Sequence, residues 1–179
     1  MRAVVTGSTG LLGNNLVRTL LQAGYGVWAL ARSKEKAGRE LGDTAARIVE
    51  GDVRNVPEFA YDLRGADVIF HTAAYFREYY TPGDHSGAVE ATNVRGTLEL
   101  AQAAHAMGVG KMIYTSSAGT IGLQPDGTPG DEQTPPWPGA AKKSLFEEQR
   151  TSRAAVGRIL AREGILHRVG TTFVDVGTS

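Results

Sequence analysis

Three glycines near the start of the chain limit what it can become. Gly7-Ser8-Thr9-Gly10-Leu11-Leu12-Gly13 stands between a β-branched run, Ala3-Val4-Val5, and a leucine-rich stretch with helical spacing. In a strand–turn–helix unit the first such glycine permits a tight turn, the second lets a pyrophosphate approach the backbone, and the third lets the helix pack closely. The N–H groups that open a helix have no partner within it and attract an anion, so the turn from Thr9 through Leu12 is a candidate phosphate cradle. A glycine pattern alone is weak, and a purely structural turn would use the same residues; the strand before it and the helix after it give it context.

The rest of the chain repeats this alternation. Further β-branched runs at Tyr25–Leu30, Arg47–Glu50, Asp67–His71 and Lys111–Ser116 are separated by helical patterns. That order predicts an α/β fold: a Rossmann-type doubly wound parallel sheet with helices on both faces, incomplete at its C-terminus. Leu11, Leu12, Leu16, Leu20 and Leu21 are expected as the apolar face of the first helix, which Gly24 ends. Pro57 suits the first turn of a helix joining the third and fourth strands. A long helix is expected from Ser86 to Met107, closed by Gly108. Five of the seven prolines lie between Gly122 and Gly139, which predicts an irregular loop. Ser144–Glu163 reads as one more helix and Ile165–Val176 as a sixth strand.

Composition narrows the function classes. The 179 residues suit one domain, and 19 basic against 19 acidic residues leave no broad electrostatic footprint for nucleic acid or an anionic membrane. With no Cys there is no disulfide, thiolate metal site or Cys nucleophile, and the four His residues have no metal-ligand spacing. No apolar run is long enough to span a bilayer and the first residues do not read as a signal peptide, so a cytoplasmic location is the expectation.

Five motifs in order carry a resemblance: Thr6–Gly13, Gly51-Asp52-Val53, His71-Thr72-Ala73-Ala74, Asn93-Val94-Arg95-Gly96-Thr97 and Tyr114–Thr120. The sequence resembles the extended short-chain dehydrogenases/reductases, the NAD-dependent epimerase/dehydratase superfamily, and within it the dihydroflavonol-4-reductase and 3β-hydroxysteroid-dehydrogenase-like branch. The resemblance implies that Gly7, Thr9, Gly10, Leu11, Leu12 and Gly13 surround the dinucleotide phosphates. It implies that Asp52 receives the adenine amino group and Val53 packs on the ring. Thr72, Ala73 and Ala74 would line the ribose and diphosphate, although tight packing alone would also account for the two alanines. A homodimer built from helices after the fourth and fifth strands is a further implication.

An NAD-specific site places Asp or Glu at the end of the second strand. Here Ala31-Arg32-Ser33-Lys34 stands in its place, and an Arg fork suits a 2′-phosphate, so NADP is expected rather than NAD, with Ser33, Lys34 or Lys36 assisting. A solvated helix start would explain the neighbouring charges equally well. The family moves a hydride between the nicotinamide and a carbonyl or alcohol carbon. By the same resemblance Ser117 takes the role of substrate-orienting catalytic serine and Ser116 lies beside the nicotinamide ribose; a serine capping local backbone is the alternative for Ser117. The Tyr-x-x-x-Lys pair expected next is missing, since no Tyr follows Tyr114. Residues 1–141 are therefore read as an NAD(P)-binding domain and 142–179 as a divergent tail, after a truncation or frame shift that leaves out the substrate lobe. An NADP-dependent oxidoreductase, an inactive dinucleotide-binding module and a sugar-nucleotide epimerase or dehydratase relative are the three functions left open.

Overall fold

The computed structural model describes residues 1–75, 83–115, 124, 126–128 and 130, together with the backbone of 168–169 and 174–175. Five strands make the parallel part of the sheet: β1 (Arg2–Thr6), β2 (Gly26–Ala31), β3 (Arg47–Glu50), β4 (Val68–His71) and β5 (Lys111–Tyr114). They lie in the order β3-β2-β1-β4-β5. The chain therefore runs outward from β1 to β3, then crosses back to place β4 on the other side of β1. At that reversal, between β1 and β4, a crevice opens beyond the C-terminal strand ends, where open α/β sheets hold their ligands.

Alternation along the strands sets the two faces. Ala3 and Val5 of β1, with Val27, Ala29 and Val68, point toward α1 (Leu11–Gln22) and α2 (Lys34–Leu41), which contribute Val17, Leu20 and Leu41. Val4, Leu30, Val49, Ile69 and Met112 point the other way, against Val56, Phe59 and Leu63 and against Leu100, Ala101 and Ala104. Both faces are covered, as a parallel sheet requires.

Several elements differ from expectation. The buried stripe of α1 is Gly13, Val17 and Leu20, with Leu16 and Leu21 only partly buried. Leu11 and Leu12 are exposed, at 89% and 52%. The buried face of the helix begins directly after them, at Gly13, where it meets the turn. The segment between β3 and β4 is two 3₁₀ turns, Val56–Glu58 and Ala60–Leu63, rather than an α-helix. Pro57 sits in the first of them, and the tighter winding brings Val56, Phe59 and Leu63 all into the core. The long helix is present as α3 (Ser86–Val89) and α4 (Gly96–Ala106), joined by a π-helical turn at Glu90–Arg95.

The region expected as a sixth strand contains two short ones, β6 (Arg168–Val169) and β7 (Val174–Asp175). They pair antiparallel with each other, and β7 pairs antiparallel with β5. The parallel sheet thus continues into a mixed edge. The helix expected over residues 144–163 lies outside the described residues.

Candidate functional site

The glycine turn is built by exclusion of side chains. Gly7 has φ +65°, and a Cβ there would stand 2.8 Å from the Ala73 nitrogen. Gly13 is tighter still, since its Cβ would lie 2.2 Å from the Gly7 carbonyl oxygen. Its close contact is therefore with the turn itself, not with the body of the strand. The same Gly7 carbonyl accepts the Gly10 N–H at 2.9 Å and closes the loop. The buried Ser8 hydroxyl donates to the Leu30 carbonyl at 2.8 Å and ties the turn to β2. Gly10 is the N-cap of α1 with no side chain to cap it, and no acidic residue stands in the first turn. The first N–H groups of the helix, with the positive end of its dipole, are thus left uncapped at the crevice.

Beneath the turn lies a buried polar chain. Thr6 Oγ1 accepts the Ala73 N–H at 3.2 Å and lies 2.7 Å from His71 Nδ1. Thr97 Oγ1 donates to the Asn93 carbonyl and lies 2.9 Å from His71 Nε2. A hydroxyl that already donates to a carbonyl must accept from the ring, so Nε2 carries the proton and Nδ1 accepts from Thr6. His71 is fully buried and stacks on Tyr114 with ring centroids 5.1 Å apart. It joins β1, β4 and α4 from within. Thr72 Oγ1 donates to the Thr6 carbonyl at 2.7 Å and fixes the next residue of the same edge.

Above this floor is a cleft of about 470 Å³. Gly7, Thr9 and Gly10 line one side, Thr72, Ala73, Ala74 and Tyr75 another, and Arg32, Asp52 and Val53 the end toward β2 and β3. Of the residues singled out from sequence, these ten share one cleft: Gly7, Thr9, Gly10, Arg32, Lys36, Asp52, Val53, Thr72, Ala73 and Ala74. Leu11, Leu12 and Gly13 do not line it; Gly13 supports the turn from below. Ser116 and Ser117 lie outside the described residues.

The charged end has its own order. Arg32 is exposed just past β2. Ser33 caps α2 by accepting the Lys36 N–H at 3.1 Å, and Lys34 pairs with Glu50 at 3.5 Å, so of the three proposed helpers only Lys36 joins Arg32 along the cleft. Arg54 also lines it and went unremarked in the sequence. Its Nε lies 3.1 and 3.0 Å from the two Asp52 oxygens and its backbone N–H donates to Oδ1 at 2.9 Å. The hydrogen-bonded Arg54 guanidinium holds the Asp52 carboxyl below the ordinary carboxylate value, with a smaller contribution from the charge of Arg32 and against the opposing effect of burial. Two further residues follow from the π-helical turn. Asn93 is buried and clamps the Tyr75 backbone, accepting its N–H at 2.8 Å and donating to its carbonyl at 3.1 Å. The Tyr75 hydroxyl in turn lies 2.9 Å from His85 Nδ1.

Residues 3–165 match the sequence profile of the NAD dependent epimerase/dehydratase family. The chain belongs to that family. The match passes residue 141, where the sequence reading placed the start of a divergent tail. A sterol demethylase protein B of Methylococcus capsulatus is 36% identical over 134 residues, covering 75% of this chain and 40% of that protein. A putative dihydroflavonol 4-reductase of Synechocystis is 35% identical over 128 residues, covering 72% of this chain and 36% of its own length. The chain thus spans well under half of these relatives. Among solved structures, the dTDP-glucose 4,6-dehydratase DesIV of Streptomyces venezuelae, with NAD and TYD bound, is 29% identical with a TM-score of 0.71. That likeness covers 90% of this chain and 52% of the dehydratase. Family members of this fold include both reductases and sugar-nucleotide enzymes. Among the described residues, no helix is long and apolar enough to cross a membrane and no cluster has the makings of a metal site.

Proposed function

We propose that this chain is the dinucleotide-binding part of a reductase or dehydrogenase of the epimerase/dehydratase family, and that it takes NADP(H). One observation carries the reading: the cleft joins an uncapped helix start and a side-chain-free glycine cradle to a second pole of positive charge, Arg32 and Lys36, where an acidic ribose ligand would stand in an NAD site. Two anion-holding poles in one crevice suit a molecule with a pyrophosphate and a separate 2′-phosphate. Gly7, Thr9 and Gly10 would hold the pyrophosphate, Arg32 the 2′-phosphate, and Asp52 and Val53 the adenine. Thr72, Ala73 and Ala74 would border the ribose. The bound nicotinamide would supply or accept the hydride, and Ser117 and Ser116 are proposed beside the substrate oxygen and the nicotinamide ribose. Residues 115–179 contain no Tyr, so the proton donor of the family's reaction has no Tyr-x-x-x-Lys counterpart there.

Titration of NADPH and NADH against the chain, followed by nicotinamide fluorescence, tests this. NADPH should bind more tightly than NADH. Arg32→Ala should weaken NADPH by roughly tenfold or more, the scale of a lost charge-assisted phosphate contact of about 1.5–3 kcal/mol. Gly10→Val should nearly abolish binding of both. Unchanged binding in the two variants would defeat the assignment. The likeness to a dehydratase with NAD bound favours a second reading, a sugar-nucleotide epimerase or dehydratase relative. Tighter binding of NADH than NADPH would select it.

A further inference from the structure

We propose that Arg54 determines cofactor specificity: it occupies Asp52 in the nucleotide-free chain and gives it up readily only to a dinucleotide carrying a 2′-phosphate. The inference rests on reading the cleft as an NADP(H) site.

A carboxylate offers about four acceptor positions. At Asp52 the Arg54 backbone N–H and Nε take Oδ1, and Nε and Nη2 take Oδ2, the last at 2.5 Å. Residues two apart in a loop thus close a ring in which both oxygens are engaged. An adenine amino group that donates to Asp52 competes with that fork. The two partners differ in freedom, since the Arg54 side chain is 53% exposed and that of Asp52 only 22%. Displacement therefore moves the arginine and leaves the carboxylate in place. The Arg54 side of the pair stands in solvent, where a ligand can reach it.

Where the guanidinium goes decides which ligand gains. Arg54, Arg32 and Lys36 all line the cleft, and the charge of Arg32 is felt at Asp52. With a 2′-phosphate present, a released Arg54 meets a dianion whose oxygens suit its planar fork, and three cations share two negative charges. With an unphosphorylated ribose, the same release loses the direct Asp52 contact and offers the guanidinium no phosphate in exchange. Arg54 thus discriminates by penalising the wrong cofactor as well as by holding the right one.

The test is the ratio of the NADH to the NADPH dissociation constant in the 179-residue chain and in Arg54→Gln. The side chain lies mostly in solvent, so the fold is retained, and far-ultraviolet circular dichroism checks this. Removing the competitor for Asp52 should tighten NADH about threefold, and removing the third cation should weaken NADPH about threefold, so the preference falls about tenfold. A fall of fivefold or more upholds the proposal. A smaller change, or an equal change in both constants, overturns it while leaving the effect of Arg32→Ala to stand for the site. Failure of the site itself shows differently, as no binding of either nucleotide by the unsubstituted chain, and overturns both.

Discussion

Gly13 shows how far a single residue can be read from sequence. Its place in the turn was legible because only glycine allows the close approach that a strand–turn–helix unit demands. The partner was not legible, since the contact is the Gly7 carbonyl of the turn itself, 2.2 Å from where a Cβ would be. Gly13→Ala therefore forces α1 away from the turn or opens the Gly7–Gly10 hydrogen bond. Overpacking of this kind costs about 1–3 kcal/mol, and rigid backbone on both sides places it at the upper end. Urea unfolding should show the loss, and a variant as stable as the parent would mean the turn is looser than its geometry indicates. Arg54 is the opposite case. An Asp accepting the N–H two residues on is a turn that residue type favours, but whether the Arg54 guanidinium then closes on the same carboxylate depends on its rotamer, which the sequence does not carry.

At the scale of elements, periodicity located the helices and strands but not their irregularities. The helical segment 86–106 was evident in its length and apolar spacing, while the π-helical turn inside it depends on what the helix meets. Asn93 and Thr97, four residues apart, face inward toward Tyr75 and His71, while Gly96 passes the Val53 carbonyl so closely that a Cβ would stand 2.6 Å from it. Such turns recur at functional sites. Here the turn connects the floor of the cleft to its rim through one side chain. Asn93→Ala removes both bonds to the Tyr75 backbone and leaves its N–H and carbonyl without them, at about 1–3 kcal/mol for buried groups. The rim at Tyr75 loosens with it, so the unfolding midpoint should fall and amide exchange at Tyr75 should quicken. Exchange at Tyr75 unchanged from the parent would show that the clamp does not set the rim. The 3₁₀ turns between β3 and β4 escaped the sequence for a related reason: Val56, Phe59 and Leu63 match either winding, and the depth of Phe59 in the core selects the tighter one.

The whole molecule was the most legible level, because alternating strand and helix patterns leave few topologies and the parallel order places the crevice between β1 and β4. The antiparallel β6 and β7 at the far edge were not, as two-residue strands carry no periodicity. Charge also acts at this scale. The 19 acidic and 19 basic residues balance at neutral pH, and four described carboxylates, Asp43, Asp52, Asp84 and Asp126, are held below the ordinary value of 3.8 by hydrogen bonds from Arg18, Arg54, Ser86 and Thr128 respectively. At these four groups the folded chain therefore binds fewer protons than the unfolded one in the range just below 3.8. Stability from these groups is fully present above the unfolded value and is lost as pH falls through the lower folded values. The contribution of these four groups to the urea midpoint should hold level in mild acid and be lost below pH 3.8, the loss steepened by repulsion among cations left without counter-charges. Asp52→Asn removes one of the four titrations, so its midpoint should start lower at neutral pH and decline less steeply. An identical decline in the variant would mean that the Arg54 fork is not what keeps Asp52 ionised.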